Sequence, residues 1–472
     1  MAVEVMRMGR VHFVGIGGAG LSAIAKVLLE QGEQVSGSDL QASALTAGLE
    51  SLGAKVTIGH RAENVHGADV VVVSSAVHAD NPEVQEARRL DIPVRKRAEF
   101  LGELLAGRRV IAVAGTHGKT TTTAMIAWML TNAGLEPGFI VGGVMANLGT
   151  NARAGRSAYF VIEADEYDRM FWGLTPWLAV VTNIELDHVD CYPTLADVRQ
   201  AYAAFLARTQ EDGVWLICAE SRTAMEAALE AEKRCAQGRP HMLTYGWGAA
   251  DWRAELAGGS PAGGQRFWAH RQGRSFGPIE LQVPGNHNVL NALAAFAVGM
   301  QVGLDEGCIL TALGSYTGVG RRFELKGEAG GVTVIDDYAH HPTEIRATLS
   351  AARGRFPGRR IWAVFQPHTY SRTKALLAEF AQSFGDADRV IVTDIYAARE
   401  ADDGSVHASQ LVEMMRSERA QYIGALADVR RYLAEHAAPG DVVITLGAGD
   451  GYRVGEELLA ALREREVGHG QG

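Results

Sequence analysis

Twice within its first 125 residues this chain runs an apolar, strand-like stretch into a glycine loop and then into a helix-like stretch. V-H-F-V-G-I-G-G-A-G (Val11 to Gly20) leads into L-S-A-I-A-K-V-L-L-E, and V-I-A-V-A-G-T-H-G-K-T-T-T-T (Val110 to Thr123) leads into A-M-I-A-W-M-L. Strand, turn and helix in that order commit a chain to parallel sheets covered by helices. A glycine loop at a helix N-terminus is also where an anion is held, because free backbone N–H groups and the positive end of the helix dipole converge there and no Cβ blocks the approach.

The pattern continues through the chain. Q-V-S-G-S-D, A-D-V-V-V-V-S-S and I-P-V complete a first series, a second opens at R-V-I-A-V-A-G, and a third follows Gly320 with V-T-V-I-D-D, I-W-A-V-F-Q, V-I-V-T-D and V-V-I-T-L-G. At ~150 residues per domain, 472 residues fit three. The reading is α/β: a Rossmann-like domain at 1–107, a central P-loop ATPase-like domain at 108–319 and a second Rossmann-like domain at 320–472. Residues 245–285, rich in glycine and carrying the alternating R-F-W-A-H, predict a small β excursion inside the middle domain.

Composition narrows the class. Apolar residues are 47% and charged residues 21% of the chain, as in soluble globular proteins. A net charge of −10 argues against a nonspecific nucleic-acid binder. Four cysteines without a C-x-x-C pair argue against a disulfide framework or a cysteine zinc site. No signal-peptide core precedes the first strand, and no apolar run approaches the ~18 residues of a membrane span. The expectation is a cytoplasmic enzyme with no nucleic-acid partner and no membrane insertion.

Gly15, Gly17 and Gly20 form G-x-G-x-x-G, with Asp39 nineteen positions beyond Gly20, the spacing of a dinucleotide site. The physics requires only a diphosphate, so a nicotinamide dinucleotide and a nucleotide sugar both satisfy it. The second loop departs from G-x-x-x-x-G-K-[ST] by one glycine: Val113 stands where the first is usual. Lys119 at the helix entrance suits the outer phosphates of a nucleoside triphosphate and Thr120 a magnesium ion, with the backbone of Gly115, Thr116, His117, Gly118 and Thr121 around them. Magnesium prefers carboxylates, and Glu163 closes the strand-like A-Y-F-V-I-E. Asp165, Glu166 and Asp168, taken singly, read as a solvated loop. Asp187 and His188 close W-L-A-V-V-T-N-I-E-L-D-H. A dehydrogenase leaves Lys119 and the acidic cluster unexplained; a nucleotide-sensing module without catalysis is a third reading, separable by whether ATP turns over.

G-T-H-G-K-T-T-T, E-A-D-E, N-I-E-L-D-H, P-G-N-H-N-V-L-N and D-D-Y-A-H-H-P-T-E-I, in this order, resemble the Mur ligases of peptidoglycan synthesis. H-F-V-G-I-G-G-A-G and S-G-S-D point within that family to the branch acting on UDP-N-acetylmuramate and L-alanine. The resemblance implies a first domain for the UDP portion, a second for ATP and a third for the amino acid. The two loops are thereby explained: one nucleotide is the substrate's handle, the other the fuel. It implies an acyl phosphate made from the lactyl carboxylate and ATP, then displacement of phosphate by the amine. Lys119, His188 and Arg322 would act in catalysis, and Thr120, Glu163 and His188 would hold magnesium. His287, Asn288 and Asn291 would lie near the adenine. Gly17, Gly18, Ala19, Gly20, Ser38, Asp39, Ser74 and Ser75 would line the UDP-sugar site. Tyr338, His340, His368 and Arg372 follow apolar strands, where α/β ligand sites form, and are the amino-acid-side candidates; His341, before Pro342, reads as a helix cap. Departures from the family pattern are Thr369, where arginine is common after Q-P-H, and Tyr167, where serine is common. The branches adding later amino acids often use a carbamoylated lysine past the D-H motif; no lysine occurs between Lys119 and Lys233. A recycling branch that attaches a whole tripeptide usually lacks the Gly17-Gly18 pair.

Overall fold

Buried valine, isoleucine and alanine runs, apolar on both faces, form the inner strands of three sheets. The computed structural model describes residues 8–469 apart from 236, 237 and 239. The first sheet has five parallel strands in the order Lys55–Ile58, Gln34–Asp39, Arg10–Val14, Val70–Val73, Val94–Lys96. Strand order reverses beside Arg10–Val14, so the loop leaving that strand opens into the crevice where such sheets bind ligands.

The second sheet has ten strands. Arg109–Ala114 lies between Tyr159–Glu163 and Leu178–Val181, all parallel. That arrangement brings the second glycine loop, Glu163 and the segment leading to Asp187 together at the carboxyl ends of parallel inner strands. The excursion expected at 245–285 is three antiparallel strands, Trp252–Gly259, Gln265–Arg271 and Arg274–Glu280, and these extend the central sheet because Trp252 pairs beside Tyr245. The third sheet runs Glu324–Ala329, Val332–Asp337, Val442–Leu446, Ile361–Phe365, Arg389–Val392, Ala420–Tyr422, parallel except at its first strand. Its inner strands deliver Tyr338 and His368 at their carboxyl ends.

The seams between these units differ. The first and second sheets share one apolar cluster, with Phe100 and Leu101 in the same core as Phe171 and Phe205. Backbones approach closely there: a Cβ on Gly173 would lie 1.9 Å from the Ala98 carbonyl oxygen. The third sheet keeps its own cores and meets the second through charged side chains, described below. Among the described residues no helix is long and apolar enough to cross a membrane.

Candidate active site

The missing glycine of the second loop has a structural reason. Val113 is a buried strand residue in register with Glu163, the strand continues to Ala114, and the turn begins at Gly115. Gly115 and Gly118 have φ of +141° and +80°. A Cβ on Gly115 would lie 1.9 Å from Thr182 Oγ1, and one on Gly118 2.7 Å from Asn291 Oδ1. Gly118 caps the helix Lys119–Asn132, which stops just before Gly134 (φ +77°). Thr182 donates to the His117 carbonyl (2.5 Å), and the His117 N–H donates to Asn183 Oδ1 (2.9 Å). Gly118→Ala is expected to cost ~1–2 kcal/mol for the left-handed backbone alone and to weaken ATP binding through the displaced Asn291. Thermal unfolding and nucleotide titration check this; wild-type values for both would show that the cap tolerates a side chain.

Lys119 Nζ donates to the carbonyls of Gly115 (2.5 Å) and Thr116 (3.2 Å) and lies 2.9 Å from Glu166. Burial pulls its ammonium down, but Glu166, Glu163 and Asp165 outweigh burial and hold it above its usual range. Glu166 therefore departs from the solvated loop expected of it. Glu166 is 3% exposed and is the lysine's counter-ion. Asp165 pairs with Arg97 at 3.1 Å and accepts the Tyr167 N–H. Thr120 donates to Glu163 Oε1 (3.1 Å), and Glu163 Oε2 accepts the Gly142 N–H (2.8 Å). Hydroxyl and carboxylate, side by side at the helix entrance, are the oxygen donors a magnesium ion takes. His188 (φ +52°), the third magnesium candidate, has its Nε2 3.8 Å from both Glu166 and Asp187.

A cavity of about 180 Å³ adjoins the loop and gathers His117, Gly118, Thr120, Thr121, His287, Asn288, Asn291 and Arg322. Asn288 is not the helix cap, which is Gly285. Its amide donates to the Pro284 carbonyl (2.7 Å), and Asn291 donates to Asn288 Oδ1 (3.1 Å). Arg322 lies 3.8 Å from Glu344 and 5.0 Å over the Tyr338 ring. Glu344 and Glu185, given no role in the sequence reading although their motifs are quoted there, flank His117 at 3.2 and 3.4 Å. Burial pushes the His117 imidazolium down, but these two carboxylates outweigh it and raise it to about 9. His341 caps Pro342–Arg355 by accepting the Thr343 N–H, as expected.

A second cavity, about 670 Å³, joins all three units: Gly18, Ala19, Gly20, Ser74 and Ser75 face Asp187 and His188 and, across from them, Tyr338, His368 and Arg372. Gly17 and Asp39 support this wall from behind, the Gly17 N–H donating to Asp39 Oδ2 at 2.8 Å. Ser38 corrects the sequence reading. It is fully buried, its hydroxyl donating to Glu83 at 2.6 Å with His60 Nδ1 at 2.9 Å, so it supports the strand and does not reach the cavity. Arg97 was missed. Its guanidinium lies where a Cβ on Gly20 would be, at 2.1 Å, and the only sequence signal is its place after the last strand of the first sheet. Arg372 makes two hydrogen bonds to Asp187 Oδ1 (2.9 and 2.7 Å) and lies 3.0 Å from His368 Nδ1. His340 Nδ1 donates to the Tyr338 carbonyl (2.9 Å), and burial pushes its pKa down to about 3, so its ring is neutral. Tyr167 packs on His188 (ring centroids 5.0 Å apart), donates to Asp190 and sits under Arg399.

Three family models match consecutive stretches: "Mur ligase family, catalytic domain" at residues 10–109, "Mur ligase middle domain" at 113–299 and "Mur ligase, glutamate ligase domain" at 321–449. The chain belongs to the Mur ligase family. Within it, the UDP-N-acetylmuramate–L-alanine ligase of Geobacter sp. (strain M21) is 47% identical over 97% of this chain and 98% of its own length. The ligase of the same name from Caldanaerobacter subterraneus is 43% identical over 97% and 99%. Among solved Mur ligases, the UDP-N-acetylmuramate-alanine ligase of Thermotoga maritima superposes with a TM-score of 0.80 at 30% identity, covering 97% of this chain and 99% of that one. A murein peptide ligase from Psychrobacter arcticus reaches 0.69 at 26% identity, over 96% and 99%.

Proposed function

We propose that this chain joins L-alanine to the lactyl carboxylate of UDP-N-acetylmuramate at the expense of ATP, in the cytoplasm, as a step in making peptidoglycan precursor. The observation that carries this reading is the 670 Å³ cavity, where the glycine loop of the first sheet, the Asp187–His188 turn of the second and the Tyr338 and His368 segments of the third share one space. The names of the relatives support the choice of substrates. Residues 1–107 hold the UDP sugar, 108–319 hold ATP and 320–472 bring the amino acid.

A carboxylate is a poor electrophile, so its oxygen first attacks the γ-phosphorus of ATP, releasing ADP and leaving an acyl phosphate. The amine then adds to the carbonyl carbon and phosphate leaves, which gives the amide. Meeting of the two anions needs positive charge. Lys119 supplies it at the phosphates, released from Glu166 as they bind, and Arg322 reaches the same space from the third unit. Thr120 and Glu163 would hold magnesium, whose charge shields the transferring phosphoryl group, with His188 on the acceptor side. Gly18, Ala19, Gly20, Ser74, Ser75 and Arg97 take the diphosphate. Neutral His340, with His368 and Tyr338, shapes the amino-acid end; at a pKa near 3 His340 is too weak a base to take the amine proton. The test is phosphate release from ATP and magnesium with UDP-N-acetylmuramate and, in turn, L-alanine, glycine, L-serine, the tripeptide or no acceptor. L-Alanine is expected to give the fastest release with a matching amide product. Release with the tripeptide alone would move the chain to the recycling branch.

A further inference from the structure

His117, Glu185 and His341 come from three separate places: the phosphate loop, the turn before Asp187 and the cap of Pro342–Arg355. Their ligand atoms nevertheless lie within 4.8 Å of one another. Glu185 Oε2 is 3.4 Å from His117 Nε2 and 3.7 Å from His341 Nδ1. Two ligands ~2.0–2.1 Å from a tetrahedral zinc ion stand about 3.4 Å apart, so the carboxylate is already at coordination spacing from both rings.

The surroundings have the form of a metal site as well. A metal-bound histidine usually gives its other N–H to a carboxylate, which leaves the bare nitrogen facing the ion. His117 has a carboxylate beside it, Glu344 Oε1 3.2 Å from Nδ1, and binding the ion displaces the proton that Glu344 and Glu185 otherwise hold on the ring. The Thr343 hydroxyl donates to Glu185 Oε2 at 2.8 Å and orients the carboxylate. The Glu185 side chain is 39% exposed, which leaves a further coordination position open to water. The cost to His341 is small, since its cap bond from the Thr343 N–H is long, 3.3 Å. The donor set selects the ion: magnesium prefers oxygen, whereas two imidazoles and one carboxylate suit zinc, cobalt or nickel.

We propose that His117, Glu185 and His341 bind a zinc-class divalent cation, at a place separate from the Thr120–Glu163 pair, and that the ion fastens the phosphate loop to the third unit and inhibits turnover. His117 lines the cavity beside the phosphate loop, and a ligand that it shares with the third unit holds the loop in place there.

The test is titration of the intact protein, free of nucleotide, with Co2+ while its visible d–d absorption is followed. One equivalent should bind with visible bands, be displaced by Zn2+ and persist in millimolar Mg2+. Glu185→Gln should weaken Co2+ at least tenfold and relieve Zn2+ inhibition by a similar factor. His341→Asn, which keeps a side chain able to cap the helix, should weaken Co2+ equally; if circular dichroism shows it unfolded, Glu185→Gln decides. Unchanged Co2+ affinity in Glu185→Gln would overturn the proposal. So would the absence of saturable visible absorption, or displacement by Mg2+, which would put the ion on Thr120 and Glu163.

Discussion

Lys119→Ala should abolish acceptor-dependent phosphate release, a loss on the order of 10³-fold or more, while UDP-N-acetylmuramate still binds. The lysine faces the phosphate loop, and its partners Gly115, Thr116 and Glu166 all lie in the second unit. The change also strands Glu166. Removing one member of a buried ion pair costs about 3 kcal/mol, and Glu166 answers by taking up a proton. Burial already raises its carboxyl above the usual range, against Lys119 and His188, which lower it; without the lysine it rises further. A folded-state pKa above the unfolded value contributes stability that is present below the unfolded pKa, about 4.3, and is lost as pH rises through the folded pKa. The variant should therefore come closest to wild type in stability near pH 4 and fall away toward neutrality. Denaturant unfolding across that range, beside the phosphate assay, checks both halves. Near-normal turnover would sink the assignment of the loop.

The second large effect is expected at Arg372. Arg372→Met should destabilise the closed arrangement by about 3–5 kcal/mol and raise KM for L-alanine tenfold or more, with UDP-N-acetylmuramate affinity little changed. Arg372 and Asp187 are each under a tenth exposed, and the pair joins the second and third units. Burial pushes the Asp187 carboxyl up, but His188 and Arg372 outweigh it and hold it far below the carboxylate range. A depressed folded pKa contributes stability that is present above the unfolded value, about 3.9, and is lost as pH falls. The gap between wild type and variant should be full at pH 7 and narrow below about pH 4. Lysine cannot reproduce the two-pronged contact, so Arg372→Lys should restore only part of the loss. An Arg372→Met enzyme with wild-type KM and an unchanged acid limb would remove the pair from the amino-acid end.

The glycine loops were legible because strand, turn and helix carry local signals: Gly115 and Gly118 take backbone angles that disfavour other residues, and Lys119 follows at a fixed offset. The three sheets followed from the same alternation, and the resemblance supplied their order of use. What stayed hidden depends on partners far away in the chain. Glu166 looked like a loop carboxylate and is a buried counter-ion forty-seven residues from its lysine. Ser38 sits in the motif S-G-S-D, yet its neighbour in space is Glu83. Arg97 carries no motif of its own, and Glu185 and Glu344 sit inside N-I-E-L-D-H and D-D-Y-A-H-H-P-T-E-I without a local sign of their shared partner His117; their meeting comes from how sheets stack. The Asp187–Arg372 contact spans 185 residues, and no local pattern announces it.

The unlike seams bear on how the chain is made. The first two units close a common apolar core that draws on residues from Val11 to Ala231. During synthesis, N-terminal units fold first as they emerge, but here the earliest of them leaves Phe100 and Leu101 uncovered until Phe171 and Phe205 have followed. The last unit has complete cores of its own and can collapse without waiting. The nascent chain is thus most exposed to aggregation and to chaperones midway through translation, while the half-built second unit still owes the first its cover.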